Sequence, residues 1–153
     1  MALDFQVSIR GVAETAHEIE QIGYRAVHAR SAMVKILGLL LAAERRLWAR
    51  SGGKKWPPRA PSTQERDPGG SLMVHSGHLK ASLTQPTAED AIREATDVLM
   101  DFGTRDYVAR FHQAGTKDGR LPKREVLVFR PTDKRTAREI IAAHLVGHEL
   151  GAE

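Results

Sequence analysis

The sequence predicts an α+β domain: a long N-terminal helix and a C-terminal helix packed on a small, mostly antiparallel sheet, joined by a long proline-rich loop. Three observations predict it. Apolar residues recur at helical spacing between residues 12 and 50, and again between residues 132 and 150. Short runs of β-type patterning, bounded by turn residues, lie between them. The stretch from Lys54 to Gly70 holds Pro57, Pro58, Pro61 and Pro68, many charges and no periodicity, which marks a long loop.

With 153 residues, one domain over 1–153 is the economical reading. The hydrophobic share of 41% is enough for a core, while an aromatic share of 5% is thin. A monomer with so few large side chains buries little, which favours self-association. The absence of cysteine excludes disulfides and thiolate metal sites and suits a cytoplasmic site of synthesis. Met1 to Phe5 lacks the charged start and apolar run of a signal peptide. The apolar stretch from Met33 to Ala43 is interrupted by Lys35 and is too short to span a bilayer, so no membrane partner is expected. Lys and Arg number 23 against 19 Asp and Glu, a net charge of +4. That mild excess permits contact with nucleic acid without demanding it.

Phe5, Val7 and Ile9 alternate with polar residues, predicting a strand that Gly11 ends. From Val12 to Arg50 the pattern is helical, with a stripe of Met33, Ile36, Leu37, Leu40 and Leu47 widened by Val34, Leu41 and Trp48. Unbroken, that helix would reach about 57 Å at about 1.5 Å per residue. A domain of this size has a radius of gyration near 15 Å, roughly, so a break near Gly23 is expected, followed by one long helix. Ser51-Gly52-Gly53 stops it. The loop over 51–78 follows, and Trp56 beside two prolines is expected to anchor it on something apolar, its own core or a partner. Leu79 to Thr84 can form a strand, Ile92 to Phe102 is the next strand candidate although Ala91 to Ala95 fits a helix equally, and Asp106 to Gln113 reads as a short helix. Arg124 to Phe129 is a β-rich run. Thr132 reads as the N-cap of a terminal helix to Leu150 carrying Ala137, Ile140, Ile141 and Leu145.

No catalytic constellation assembles from these elements. His144 and His148 stand four apart, a spacing that can serve one metal, yet Leu145 occupies the place of the glutamate a zinc protease needs. They read as packing or interface histidines. His75 and His78 bracket Ser76-Gly77, a turn rather than a nucleophile elbow. An enzyme is therefore not expected, nor is any cofactor or metal. Arg45, Arg46, Arg50, Lys54, Lys55 and Arg59 form one basic cluster; Lys117, Arg120, Lys123 and Arg124 form another. Either could meet phosphates, although neither has the interleaved aromatics of a single-strand platform.

Four motifs in order carry a resemblance. Gly52 to Pro57 is a Gly-Gly-x-x-Trp-Pro loop. Met73, Ser76, Gly77, Leu79 and Ser82 follow a Leu-x-x-Ser/Thr-Gly-x-Leu-x-x-Ser pattern, with Met73 for the first leucine. Ala109, His112, Gln113 and Gly115 follow Tyr-Ala-x-x-His-Gln-x-Gly, with Val108 in the tyrosine's place and Tyr107 one residue earlier. Leu121 to Arg124 is Leu-Pro-x-Arg. Together they resemble the phage virion morphogenesis and tail-completion family of neck proteins. Glu125-Val126-Leu127 after Arg124, and the polar stretch from Arg59 to Ser71, depart from that family's pattern.

The resemblance implies a structural virion protein of the head–tail junction, a tail-completion or tail-terminator component. It would be a homo-oligomeric ring, a hexamer or dodecamer, between portal- or adaptor-side connector proteins and the tail-tube protein. Ring subunits need heterologous interfaces that close. Trp56, Tyr107, His112, Gln113 and Arg124 are the expected partner contacts, and Arg45, Arg46, Arg50, Lys54 and Lys55 could line a lumen for genomic DNA. The alternative is a small basic DNA-binding protein. Two expectations are sharper. Loss of Trp56 should weaken assembly more than folding, and Arg124, after rigid Pro122, should tie loop to body.

Overall fold

The computed structural model describes residues 11–52 and 55–148. Eight elements follow in order: α1 Val12–Val27, α2 Arg30–Ala49, α3 Pro61–Arg66, α4 His78–Thr84, β1 Ala91–Ala95, β2 Met100–Thr104, α5 Val108–Ala114 and α6 Pro131–Val146. The architecture is α+β, as the sequence predicts. The single sheet among the described residues is an antiparallel hairpin, with Ala91 opposite Thr104 and Ala95 opposite Met100. The expected strand from Phe5 to Ile9 lies outside the described residues.

The N-terminal helical stretch breaks at His28–Ala29 rather than at Gly23, and the two halves meet at a bend of 52°. The cause is tertiary. The Ala29 amide donates to Asp97 O at 3.1 Å, in the hairpin turn, instead of to the carbonyl four residues back. Ala29 is buried there. Gly23 sits mid-helix with nothing crowding it, so no local strain marks it as the hinge.

α2 is the central element and touches α4, α6 and both strands. Its apolar stripe feeds two clusters. Ile36 and Leu40 meet Ala137 of α6, with Met100 and Phe102 of β2 packed alongside. Leu47 and Trp48 meet Trp56, Leu79, Leu83 and Val126. No single helix among the described residues is long and apolar enough to cross a membrane.

Three segments differ from the sequence reading. Leu79 to Thr84 belongs to a helix, not a strand. Leu79, Ser82 and Leu83 are all buried, and that i, i+3, i+4 spacing is helical. The Ser76 hydroxyl, accepting from the His78 amide, and Gly77 at φ 81° open that turn. Ile92 to Phe102 is two strands, because Thr96 folds the chain back: its hydroxyl accepts from Leu99 N–H at 2.9 Å and its amide donates to Leu99 O at 2.8 Å. The run from Arg124 to Phe129 forms no strand. Its ladder partner is a side chain. Gln113 Oε1 accepts from the Val126 and Leu127 amides at 2.9 and 3.1 Å, and Gln113 Nε2 donates to Leu127 O at 3.0 Å. A side-chain amide thus satisfies backbone groups that would otherwise seek a sheet.

α6 begins at Pro131, not after a Thr132 cap. Proline suits the first helical position, where its missing N–H is no loss. Asp133 Oδ2 accepts from the Arg130 amide at 3.0 Å. The helix stops at Val146, short of Leu150, because Gly147 takes φ 76°. A side chain at Gly147 would also meet the Arg25 guanidinium at 2.9 Å.

Glu44 of α2 is 3% exposed beneath the Arg124–Phe129 run. Its Oε1 receives only a long 3.5 Å bond from Val128 N–H, and Oε2 has no partner among the described residues. Burial raises its pKa from 4.5 to about 7; Arg130 and Arg93 draw it down and Asp133 pushes it up. The native state therefore keeps a proton that the unfolded chain has lost. Stability falls as pH rises from about 4.5 to about 7, and the full cost persists above that window. Glu44→Gln should be close to neutral near pH 4 and stabilising by roughly 2–3 kcal/mol near pH 8. Urea unfolding of both proteins at the two pH values checks this; an equal effect at both would contradict it.

Candidate functional site

The four sequence motifs converge on one region, the C-terminal end of α2 and the segments laid over it. Helix α2 ends in a reversal: the Gly52 amide donates to Leu47 O at 2.9 Å, with Ser51 at φ 47° and Gly52 at φ 75°. A β-carbon on Gly52 would overlap the Trp56 indole. Glycine is required here by both backbone and neighbour, which gives the Gly-Gly-x-x-Trp spacing its physical reason. Trp56 is 6% exposed and sits edge-on to Trp48, with ring centroids 5.0 Å apart. Its Nε1 donates to Glu125 O at 2.9 Å.

Arg124 is buried in the same region. Nε donates to Pro57 O at 2.9 Å and Nη2 to Pro58 O at 2.7 Å. The guanidinium fork holds the proline loop to the body, as the sequence reading expects. The Arg124 amide in turn donates to His112 O at 2.7 Å. His112 is half-buried, its Nδ1 has no partner among the described residues, and burial, then Arg124, lowers its pKa. A groove of about 660 Å³ opens beside it, lined among others by Arg59, Met73, His78, Asp106, His112 and Arg124.

Of the expected partner contacts, Trp56, His112, Gln113 and Arg124 therefore face inward or bind neighbouring backbone. This corrects the partner reading of Trp56, which anchors the loop on its own core. Tyr107 alone projects outward, 68% exposed. Its ring lies edge-on to Phe111 at 6.2 Å, and Arg110 stands over Phe111 at 4.7 Å.

The basic cluster is laid out along the end of α2. Arg45, Arg46, Arg50 and Lys55 are exposed, although Arg45 Nε donates to Thr84 O at 2.8 Å. Lys54 lies outside the described residues. His144 and His148 do not share a helix face, because α6 has ended at Val146. His144 Nε2 instead lies 3.0 Å from Arg25 O. His78 pairs with Asp90 at 2.6 Å on the surface, and that hydrogen bond raises its pKa. No group of three metal-ligating side chains occurs among the described residues.

One feature escaped the sequence reading. Helix α1 buries no residue. Val12, Ile19, Ile22, Tyr24 and Val27 are all exposed. The signal was present as Val12, Ala16, Ile19, Gly23 and Ala26 at helical spacing, but a continuous helical pattern to Arg50 merged it with the stripe of α2.

Motif residues thus bind loops together at the end of α2, while α1 displays apolar side chains outward. The chain belongs to the phage virion morphogenesis family, whose family model matches residues 9–146. No curated protein and no solved structure matches it.

Proposed function

We propose that this virion morphogenesis protein is a structural, non-enzymatic component of the phage head–tail junction, a tail-completion or tail-terminator subunit. It assembles as a homo-oligomeric ring between connector proteins on the capsid side and the tail tube. The observation that carries the reading is α1: within a family of assembly proteins, a whole helix exposes its apolar side and so is unfinished as a monomer. Arg45, Arg46, Arg50 and Lys55 supply a basic surface suited to DNA passing through a lumen, where charge acts without base readout.

The test is particle assembly without the protein. Phage lacking it should accumulate separate heads and tails in negative-stain images, and purified wild-type virions should contain it. Complete particles formed in its absence would overturn the proposal. For the basic surface, DNA retention by the purified protein should fall steeply between about 50 and 200 mM salt. Arg46→Glu with Arg50→Glu should abolish retention while leaving the melting temperature unchanged. Retention indifferent to these changes would remove the lumen role.

A further inference from the structure

α1 is clamped to its own domain at one end only. Arg25 Nη1 donates to Leu145 O at 3.0 Å, and His144 Nε2 lies 3.0 Å from Arg25 O, which fixes the C-terminal end to α6. From Val12 to Glu20 every residue is exposed, so the first turns stand off the body as an arm. The 52° bend at the elbow leads this arm away from α2. Immediately before it, Phe5, Val7 and Ile9 alternate with Gln6, Ser8 and Arg10, the period of a half-buried strand. Those residues lie outside the described ones.

A strand needs a ladder partner for its backbone, and the hairpin has an edge to offer. The Thr96 and Arg105 amides donate to Leu99 O and Asp90 O, which sets the alternation. Asp101 and Gly103 bond toward β1, whereas the amides and carbonyls of Met100, Phe102 and Thr104 point to the outer edge of β2. None of these outward groups has a hydrogen-bond partner among the described residues. A two-stranded sheet is marginal by itself, and an open edge accepts a further strand. The β2 edge suits an apolar one. Met100 and Phe102, two apart and half-buried, border the cluster of Ile36, Leu40 and Ala137 and give Phe5, Val7 and Ile9 an apolar row to lie beside. The matching positions of β1 are Ala91, Arg93 and Ala95, and Arg93 is held by α4.

The segment cannot reach its own hairpin. β1 and β2 lie against α2 and α4, and α4 packs at the far end of α2, so the strands run from the elbow away from α1. The 16 residues of α1 put Val12 about 24 Å from that elbow. Fully extended, Val7 lies at most about 18 Å from Val12, and Ile9 about 11 Å. Neither reaches even the near end of β2. We infer that Phe5 to Ile9 adds as a third strand to the β2 edge of a neighbouring copy of this chain, carried there by the α1 arm. Strand donation of this kind is heterologous and propagates into a ring when its rotation closes. The inference rests on the ring reading and names the contact that builds it.

Full-length protein carrying Val7→Pro with Ser8→Pro tests the contact, because one of two adjacent prolines removes a ladder donor in either register. The light-scattering mass should fall from the oligomer to 16.9 kDa. Hydrogen exchange should show loss of protection at the Met100, Phe102 and Thr104 amides, while Asp101 and Gly103, bonded to β1, stay protected. Val7→Ile with Ser8→Thr keeps both amides and should leave mass and protection as in the wild type. Protection lost from an oligomer of unchanged mass would place the strand in its own subunit and overturn the donation while the ring reading stands. A fall in mass with exchange along β2 unchanged would mean that the segment docks elsewhere, and no change in either readout would mean that it builds nothing; each overturns the inference. A wild type that stays at 16.9 kDa would overturn the ring reading as well.

Discussion

Replacing Trp56 by alanine should destabilise the fold by about 3–5 kcal/mol, a large part of the roughly 5–15 kcal/mol that holds a domain of this kind together. The indole fills the space above Gly52, meets Trp48 edge-on and ties Glu125 to the loop through Nε1. Its loss opens a cavity and frees Pro57 and Pro58 and the Arg124–Phe129 run together. Denaturant unfolding measures the effect. Trp56→Phe, which keeps an aromatic body but not the N–H, should cost less, about 1–2 kcal/mol more than a pure packing change. Burial of the indole predicts the opposite order from the sequence expectation that assembly would suffer before folding. A Trp56→Ala protein with the wild-type midpoint but failed assembly would restore it.

Arg93→Met should cost about 3 kcal/mol, the scale of one or two charge-assisted hydrogen bonds at roughly 1.5–3 kcal/mol each, because Arg93 is half-buried and water takes over part of what its guanidinium donates. From β1 the guanidinium reaches across to α4 and β2. Nη1 donates to Ile92 O and Gly103 O at 2.6 and 2.7 Å, and Nη2 donates to Ser82 O and Leu83 O, both at 2.9 Å. It also lies 4.0 Å over the Phe102 ring. Ser82 and Leu83 are in the last turn of α4, whose open carbonyls favour a cation. Methionine keeps the stem's bulk and leaves those carbonyls without their donor. The melting temperature should fall by roughly 6–12 °C. Arg93→Lys should recover little, since a point charge cannot serve four acceptors in a fork. An unchanged melting temperature for Arg93→Met would show that these bonds are replaced by water at no cost.

Helical segments were legible where the apolar repeat is long, as in α2 and α6, and turns where Ser-Gly or Gly-Gly stands. The loop-to-body role of Arg124 was legible too, because a guanidinium after a rigid proline has few places to go. Short apolar runs were not. Leu79, Ser82 and Leu83 fit either period over so few residues, and Arg124 to Phe129 has strand composition yet finds its bonding partner in the Gln113 side chain. Arg93 and Glu44, both polar residues placed deep between elements, left no local trace. Their roles depend on carbonyls and amides brought in from distant segments.

By itself the sequence determined the class of fold, the stop after α2, the motif order that marks the family and the absence of thiol chemistry. These are local facts, set by repeat spacing, turn residues and composition. Only the tertiary structure decided which faces are inside. α1 and α2 carry comparable apolar stripes, yet α2 buries Ile36, Leu40 and Leu47, while the bond from Ala29 to Asp97 and the Arg25 clamp on α6 turn the stripe of α1 outward. Periodicity fixes that a helix has an apolar side; which way that side points depends on contacts made far along the chain.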